Sequence, residues 1–272
     1  MASQFKGKVA IVTGSSAGLG EAIALLLASR GAQVTLCGRD KDRLNSVVDK
    51  VVAVNGGNQD DVLAVPGDLK DPNVQTEIIE QTVKKFGCLD ILVANAGVSG
   101  ITNSFLEDTE ETYDTVLDTN LKSVFFIIQK AVPHLEKTKG SIVNVSSILS
   151  TMAVPCETVY SLSKAALDHL TRCLAVDLGA KGIRVNSINP GFFPTQILRF
   201  LGDVDTFNEK FGKFEASQQP LKGRIGVLDD VAETVAFLVS DEAGFITGEH
   251  IRIDGGRSYV GSSTLSPEEM LK

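Results

Sequence analysis

A serine, a tyrosine and a lysine in the middle of the chain could together move a proton. Ser147 ends an apolar run, and Tyr160 and Lys164 follow in a stretch with a helical pattern. Positions i and i+4 share one helix face, so the phenol and the ammonium should lie side by side. A free tyrosine has a pKa of about 10, and a cation within ~4–6 Å lowers it by roughly 1–3 units. We therefore expect Lys164 to lower the pKa of Tyr160 towards the range of general acid–base catalysis, with Ser147 donating to an oxygen that gains charge, as in a carbonyl/alcohol interconversion.

The N-terminal region predicts a phosphate-binding turn. A short apolar run, Lys8–Thr13, precedes Gly14-Ser-Ser-Ala-Gly18-Leu-Gly20 and a helical pattern. Gly14 allows the chain to turn, Gly18 allows the backbone to approach a pyrophosphate, and Gly20 allows the helix to pack closely on the strand. The N–H groups at the start of a helix bind phosphate. A glycine turn alone can be a tight turn without a ligand, but beside the proton-moving trio it predicts a dinucleotide that supplies hydride.

These motifs resemble those of the short-chain dehydrogenase/reductase family, in its compact single-domain subclass. The resemblance runs from about Lys6 to Gly256, and each short motif would be weak alone. The ordered set is specific, and it consists of Thr13-Gly-Ser-Ser-Ala-Gly-Leu-Gly20, Asp68-Leu69, Asn95-Ala-Gly97, Asn120, Ser147, Tyr160-x-x-x-Lys164 and Asn189-Pro-Gly191.

The resemblance implies roles for individual residues. It adds Asn120 to Ser147, Tyr160 and Lys164 as the catalytic set, with Asn120 holding a water that connects Lys164 to solvent. Without the rest of the motif, a surface asparagine would be the favoured interpretation of Asn120, since asparagine disfavours a helix interior. The implied coenzyme contacts are Gly14, Ser15, Ser16, Gly18, Leu19, Gly20, Arg39, Asp68, Leu69, Asn95, Ala96, Gly97, Tyr160, Lys164, Pro190, Gly191 and Thr195. For Asp68, a turn or helix cap is the other reading.

The residues that decide between NAD and NADP are expected at the end of the second predicted strand. An NAD enzyme usually has an acidic residue here for the ribose hydroxyls, but the sequence has Gly38-Arg39. Arg39 can hold the 2′-phosphate of NADP, with Arg43 as a candidate second cation. Arg39 could otherwise stack on adenine or pair with a nearby acid. We expect NADP(H), with NAD(H) still open because Asp40 is adjacent.

Strand-like and helical patterns alternate along the chain and predict an α/β fold. Such alternation indicates a doubly wound, mostly parallel seven-stranded sheet, a Rossmann fold with helices on both faces, here as one domain over residues 1–272. Ligands bind at the carboxyl ends of such strands. The strand-like runs are Val9–Thr13, Gln33–Cys37, Val62–Val65, Ile91–Ala94, Ser141–Ser146, Arg184–Asn189 and His250–Ile253, and two of the helical ones are Val74–Phe86 and Val231–Val239.

An apolar segment at 192–217 is expected to form a lid over the substrate. Its apolar residues favour a lipophilic carbonyl compound such as a steroid, an isoprenoid, a quinone-like compound or a 3-oxoacyl group. A helix pair packed on the body or on another subunit explains the segment equally well. No basic patch stands out for docking an acyl carrier protein. The expected substrate contacts are Ser147, Leu149, Tyr160, Phe192 and Phe193, and the lid residues are Phe192, Phe193, Leu198, Phe200, Leu201, Phe207, Phe211 and Phe214.

Composition excludes several other classes of protein. A net charge of −8 argues against a nucleic-acid surface. Apolar runs are too short for a membrane span, and the N-terminus has no apolar signal core. The four cysteines are far apart in the sequence, which indicates reduced thiols and a cytoplasmic protein. The three histidines lack metal-ligand spacing, so no metal is expected.

Two alternatives and one assembly state complete the expectations. A non-catalytic NADP-binding regulator on the same fold should have lost part of the catalytic set, and an extended-fold epimerase would need a larger C-terminal domain. The last strand is expected at the sheet edge, and the apolar helices Val116–Val132 and Ala165–Leu178 exceed what one sheet face needs. The polar tail, 257–272, is a poor cover for that edge. In the short-chain dehydrogenase/reductase family, which this sequence resembles, the edge strand and these helices are buried in two-fold contacts between subunits. The resemblance therefore implies a homotetramer, with a dimer as second choice.

Overall fold

A computed structural model describes residues 4–198 and 202–260 of the chain. The described part contains one seven-stranded parallel sheet in the order β3-β2-β1-β4-β5-β6-β7. The strands are β1 Val9–Val12, β2 Gln33–Gly38, β3 Val62–Pro66, β4 Ile91–Ala94, β5 Ser141–Val145, β6 Arg184–Pro190 and β7 His250–Ile253. The helices are α1 Gly18–Ser29, α2 Lys41–Val54, α3 Pro72–Phe86, α4 Glu110–Leu117, α5 Ser123–Thr138, α6 Thr158–Gly179, α7 Val204–Gln218 and α8 Leu228–Val239.

The inner strands are apolar on both faces because helices cover both sides of the sheet. Along β1, Ala10 and Val12 pack in one core cluster with α1, α2 and α8. Ile11 points the other way, into a second cluster with α3, α5 and α6. This period of two matches the alternation of side chains along a strand. The doubly wound architecture expected from the sequence is confirmed.

The strand order places the carboxyl ends of β1, β4 and β5 together. The connections run outward from β1 in one direction to β3 and in the other to β7, so the order reverses between β1 and β4. This reversal is the position where open α/β sheets bind ligands. Strand β7 lies at the sheet edge, as expected.

One predicted helix is divided. The pattern over Val116–Val132 predicts a single helix, but α4 ends at Leu117 and a π-helical turn, Asp118–Lys122, separates it from α5. A π-turn widens the hydrogen-bond register without changing the apolar pattern, and such turns often occur at functional sites. Asn120 lies in this turn. Over 4–198 and 202–260, none of the helices has the length and apolar character to cross a membrane.

Candidate active site

The structure brings Ser147, Tyr160 and Lys164 together. Ser147 follows β5, and its Oγ accepts a hydrogen bond from the N–H of Leu149 at 3.1 Å. Tyr160 lies in the first turn of α6, and the Lys164 Nζ lies 5.5 Å from the centre of the Tyr160 ring. Lys164 is buried, and its Nζ donates to the Val145 carbonyl at 2.8 Å. The side chains of Tyr160 and Ser147 line the same cavity. The positions of Tyr160 and Lys164 in α6 therefore agree with the i, i+4 arrangement predicted from their spacing.

The pKa values of the site differ from the sequence-based expectation. Burial, with the Glu157 carboxylate as the next cause, raises the pKa of the Tyr160 phenol well above its usual range. The same burial lowers the pKa of Lys164 to about 8, and the Asp168 carboxylate opposes that shift. Our prediction that Lys164 lowers the pKa of Tyr160 is thus wrong for the protein chain by itself. The reason is that removal from water and the nearby Glu157 carboxylate disfavour the phenolate more than Ser147 favours it.

Asn120 lies behind this group rather than in the cavity wall. It is fully buried, so the surface reading is excluded. Its Oδ1 accepts from the N–H of Val98 at 2.8 Å, and its Nδ2 donates to the Val98 carbonyl at 2.9 Å and to the Ser163 Oγ at 3.1 Å. Asn120 therefore ties the loop after β4 to α6.

A second buried polar group holds the backbone at Ser147. The Asn189 Nδ2 donates to the Ser147 carbonyl at 3.0 Å, to the Ser150 Oγ at 2.9 Å and to the Asp168 Oδ2 at 2.8 Å. Asp168 lies one turn after Lys164 on α6 and is also buried. One asparagine thus fixes the position of Ser147 relative to α6.

The glycine turn has no room for side chains. Gly14 has φ +64°, and a Cβ there would lie 2.8 Å from the Ala96 Cα. Gly18 has φ +62°, in the left-handed region that favours glycine. A Cβ on Gly20 would overlap the Asn95 Nδ2 and lie 2.5 Å from the Gly14 carbonyl oxygen. The turn therefore keeps an open cradle at the N-terminus of α1, where N–H groups attract phosphate.

Neighbouring side chains hold this cradle in place. The Asn95 Nδ2 donates to the Thr13 carbonyl at 2.8 Å and to the Gly14 carbonyl at 3.2 Å. The Ser15 Oγ accepts from the N–H of Cys37 at 2.9 Å. Ser15 is fully buried, so its side chain fastens the turn to β2 and does not reach the cavity.

Arg39 and Asp40 follow the end of β2, and the Asp40 carboxylate already accepts hydrogen bonds from Arg43. Arg39 is about half exposed, and its guanidinium lies 4.0 Å from the Asp68 carboxylate, so the pairing with a nearby acid is present. Asp40 caps α2 by accepting from the Arg43 N–H at 3.0 Å, and it also accepts from the Arg43 Nε at 2.7 Å. Asp68 caps a turn by accepting from the Lys70 N–H at 3.0 Å. Asp40 is therefore committed to local contacts.

One cavity of about 1020 Å³ connects these parts. It runs from Arg39 and Asp68, past the glycine turn, to Tyr160 and the 192–217 segment. Of the predicted site residues, Ser15, Gly20 and Asn120 are not part of its wall. The predicted residues that line it are Gly14, Ser16, Gly18, Leu19, Arg39, Asp68, Leu69, Asn95, Ala96, Gly97, Ser147, Leu149, Tyr160, Lys164, Pro190, Gly191, Phe192, Phe193 and Thr195.

The far end of the cavity is aromatic. Phe211 packs against Phe192 at 4.9 Å, Phe207 at 5.3 Å and Phe214 at 5.9 Å between ring centres. These rings line the cavity and also contact one another. Two predicted lid residues, Phe200 and Leu201, lie outside the described residues.

Sequence reasoning missed three charged groups of this wall. Glu157 precedes Tyr160 by three residues and lines the cavity. Glu215 and Arg257 also line it and form an ion pair at 3.1 Å, where both are largely buried. The position of Glu157 could have been found by extending the helical spacing backwards from Tyr160. The Glu215–Arg257 pair joins distant segments and has no sequence signal.

Comparison with known proteins gives a consistent picture. A family model described as Enoyl-(Acyl carrier protein) reductase matches residues 14–258. The 3-oxoacyl-(acyl-carrier-protein) reductase FabG of Thermotoga maritima is 37% identical over 254 residues, which cover 93% of this chain and 98% of that protein. Versicolorin reductase of Emericella nidulans is 36% identical over 258 residues, covering 92% and 95%. A short-chain dehydrogenase/reductase of unknown function from Caenorhabditis elegans, solved with cofactor, has a TM-score of 0.89 and 36% identity, covering 95% of this chain and 98% of that one.

Proposed function

The chain belongs to the short-chain dehydrogenase/reductase family, and from that premise we propose that it is an NADP(H)-dependent oxidoreductase that interconverts a carbonyl and a secondary alcohol on a lipophilic substrate. The meeting of Ser147, Tyr160 and Lys164 in the wall of a cavity that begins at a glycine turn carries this proposal. Its parts are the coenzyme, the proton path, the substrate and the assembly.

The residues present fit a nicotinamide dinucleotide. Gly14 and Gly18 line the cavity beside the N-terminus of α1, so no side chain there would keep a ligand away from the backbone. The N–H groups that begin α1 would hold a pyrophosphate, and Lys164 would reach a ribose. When bound, the coenzyme supplies a hydride from its nicotinamide.

Charge at the adenosine end supports NADP(H) over NAD(H). Arg39 lies at the cavity wall with its guanidinium partly exposed. Asp40, the acid that could accept from ribose hydroxyls, is held by the Arg43 N–H and Nε. A 2′-phosphate would therefore meet a cation, while ribose hydroxyls would meet no free carboxylate at Asp40.

Proton transfer falls to Tyr160. With its pKa raised, the phenol is protonated at neutral pH and can donate to a carbonyl oxygen. Ser147 would donate a hydrogen bond to the same oxygen and stabilise its developing charge. Lys164 would stabilise the phenolate that forms when Tyr160 has given up its proton. Asn120, which is bonded to Val98 and Ser163, would support the resupply of that proton to Tyr160 from solvent.

The substrate end supports a lipophilic carbonyl compound. Phe192, Phe207, Phe211 and Phe214 form an aromatic wall there. The relatives named above reduce 3-oxoacyl-(acyl-carrier-protein) and versicolorin by their names. Steroid, isoprenoid, quinone-like and 3-oxoacyl compounds therefore remain the candidates for this chain.

Assembly and location complete the proposal. We propose a homotetramer, because β7 is an edge strand of the sheet in the described part of the chain and α5 and α6 expose apolar side chains there. Among these, Phe125 is 43% exposed, Leu162 55% and Val176 81%. The four cysteines are free thiols, which fits a reducing cytoplasm.

A non-catalytic NADP-binding regulator is the second candidate, and it is not favoured. Such a protein needs no proton donor, whereas Ser147, Tyr160 and Lys164 all line the cavity. The relatives named above are reductases or dehydrogenases.

Tyr160→Phe tests the proposal, because it deletes only the group that transfers the proton. We expect NADPH reduction of carbonyl compounds to fall by at least ~100-fold. NADPH binding, followed by coenzyme fluorescence, should stay within about threefold, since the ring and its packing remain. Reduction at near wild-type rate by Tyr160→Phe would contradict the proposed mechanism, and NADPH binding by the wild type without turnover of any carbonyl would favour the regulator.

A further inference from the structure

Asp168 is a buried carboxylate on the same face of α6 as Lys164. The two residues are four positions apart on that helix, and both are buried there. Side chains at i and i+4 are neighbours on a helix, with about 5–6 Å between their Cβ atoms. Lys164 lines the cavity, whereas Asp168 is not part of its wall. Asp168 can therefore act on the reaction only through a neighbouring residue.

Two polar side chains from β6 hold the Asp168 carboxylate in place. The Asn189 Nδ2 donates to its Oδ2 at 2.8 Å, and the Ser187 Oγ lies 3.4 Å from its Oδ1. Ser187 and Asn189 are themselves buried. The same Nδ2 of Asn189 also donates to the Ser147 carbonyl at 3.0 Å. The position of Asp168 is therefore fixed relative to Ser147 as well as to Lys164.

His250, on β7, faces the same carboxylate but does not neutralise its charge. Its Nδ1 lies 3.6 Å from the Asp168 Oδ1 and 2.6 Å from the Ser187 Oγ. The Arg172 guanidinium contacts the His250 Nε2 at 2.9 Å. Because an arginine can only donate, Nε2 must accept, and the ring is neutral with its proton on Nδ1. Burial also lowers the pKa of His250, which favours the neutral ring.

Lys164 is the cation on which the Asp168 carboxylate acts. Its buried Nζ donates to the uncharged Val145 carbonyl, and its other near neighbour, Tyr160, keeps its proton because burial raises the pKa of that phenol. Burial lowers the pKa of Lys164 to about 8, and the charge of Asp168 opposes that shift. A lysine buried without such a partner loses its proton at lower pH. The carboxylate therefore favours an ammonium beside Tyr160.

We propose that Asp168 is a positioning residue that acts on catalysis through Lys164, as the fixed negative charge behind its ammonium. Asn189 holds this carboxylate and ties it to Ser147. The inference rests on the proposed function, in which Lys164 stabilises the phenolate of Tyr160. Loss of the charge of Asp168 should therefore change the pH at which activity is lost.

The pH profile of kcat/KM with NADPH tests this inference. Phenanthrenequinone, ethyl 3-oxohexanoate and androstenedione serve as carbonyl probes of the quinone-like, 3-oxoacyl and steroid classes. In the wild type, activity should fall as pH rises through about 8, where Lys164 loses its proton. Asp168→Asn keeps the size of the side chain and an acceptor oxygen for Asn189, but it removes the charge. Because the pKa of Lys164 then falls, this alkaline limb should move to lower pH by at least ~0.5 unit.

Two further variants separate the charge from a structural role. Asp90→Asn is the matched control, because Asp90 is also a buried carboxylate, but it precedes β4 and accepts from the Val9 N–H at 2.9 Å. It therefore lies at the amino end of the strands, away from Lys164, and should leave the alkaline limb unchanged even where it lowers the melting temperature. Asp168→Glu keeps the charge, so it should keep the limb near that of the wild type even where the longer side chain lowers kcat.

The outcomes distinguish the inference from the proposed function. An alkaline limb in Asp168→Asn equal to that of the wild type would overturn the inference and leave the oxidoreductase function standing. An Asp168→Glu limb displaced to lower pH by ~0.5 unit or more would do the same, and this variant decides if Asp168→Asn does not fold. No turnover of any of the three probes by the wild type would overturn the proposed function, and the inference with it.

Discussion

Coenzyme preference is the property that a single side chain should change most clearly. Arg39 lies at the cavity wall, about half exposed and 4.0 Å from Asp68. A hydrogen bond to a charged group contributes ~1.5–3 kcal/mol when well shielded, and exposed ion pairs contribute less. Half exposure and competition from Asp68 place Arg39 at the lower end, at ~1.4 kcal/mol, or about tenfold in affinity. Arg39→Ala should therefore reduce the NADPH/NADH ratio of kcat/KM by about tenfold.

The assay compares both coenzymes on one ketone, so that effects on proton transfer cancel. Lys41→Ala is the matched control, because it removes an exposed cation at the start of α2 that does not line the cavity. It should change the ratio by about twofold or less, as an exposed cation without a direct phosphate contact would. A wild type that uses NADH better, or an Arg39→Ala ratio equal to that of the wild type, would refute Arg39 as the phosphate ligand.

The structure also specifies how to reverse the preference. An acid at Gly38 should favour NAD by accepting from the ribose hydroxyls. A Cβ at Gly38 would, however, lie 2.9 Å from both the Cβ and the Oγ of Ser16. Gly38→Asp alone should therefore weaken both coenzymes. Gly38→Asp combined with Ser16→Gly should shift the ratio towards NADH.

Two other results are expected. Lys164→Ala should lower both turnover and coenzyme affinity. In the wild type, kcat/KM for reduction should fall as pH rises through about 8, because burial lowers the pKa of Lys164 to about 8 and the ammonium is lost above it. A flat profile to pH 9.5 would contradict this role of Lys164. Light scattering at micromolar protein should give the mass of a tetramer, and a mass near the 29.0 kDa of one chain would refute the proposed assembly.

Most of the fold could be predicted because its cause is local. Seven apolar runs separated by helical patterns suffice to predict the parallel sheet, and the glycine turn and the Tyr160/Lys164 spacing follow from chain geometry alone. The carboxyl ends of parallel strands meet at one edge, so Gly14, Asn95 and Ser147 could be placed together without coordinates. The coenzyme motifs therefore line one cavity, as the order of strands requires.

The remaining features depend on contacts that spacing does not encode. The π-turn at Asn120 changes backbone register while the apolar pattern continues. The contact of Gly38 with Ser16 and the ion pair of Glu215 with Arg257 each join distant segments. The role of Asp40 could have been predicted from the sequence, because an aspartate before a helical stretch is a recognisable N-cap. That pattern would have excluded Asp40 as a coenzyme ligand.

The shifted pKa values around Tyr160 make the acidity of this phenol depend on what is bound beside it. Burial penalises whichever form is charged, so it raises the pKa of the phenol and lowers that of the Lys164 ammonium in the same place. A phenol with a raised pKa keeps its proton at neutral pH but is a weaker acid than a free tyrosine, so proton donation to a carbonyl and proton abstraction from an alcohol both need a group that lowers this pKa. The positive ring of an oxidised nicotinamide would lower the pKa of Tyr160, and so would a protonated Lys164. The acidity of Tyr160 during the reaction is therefore expected to depend on the charge of the bound coenzyme.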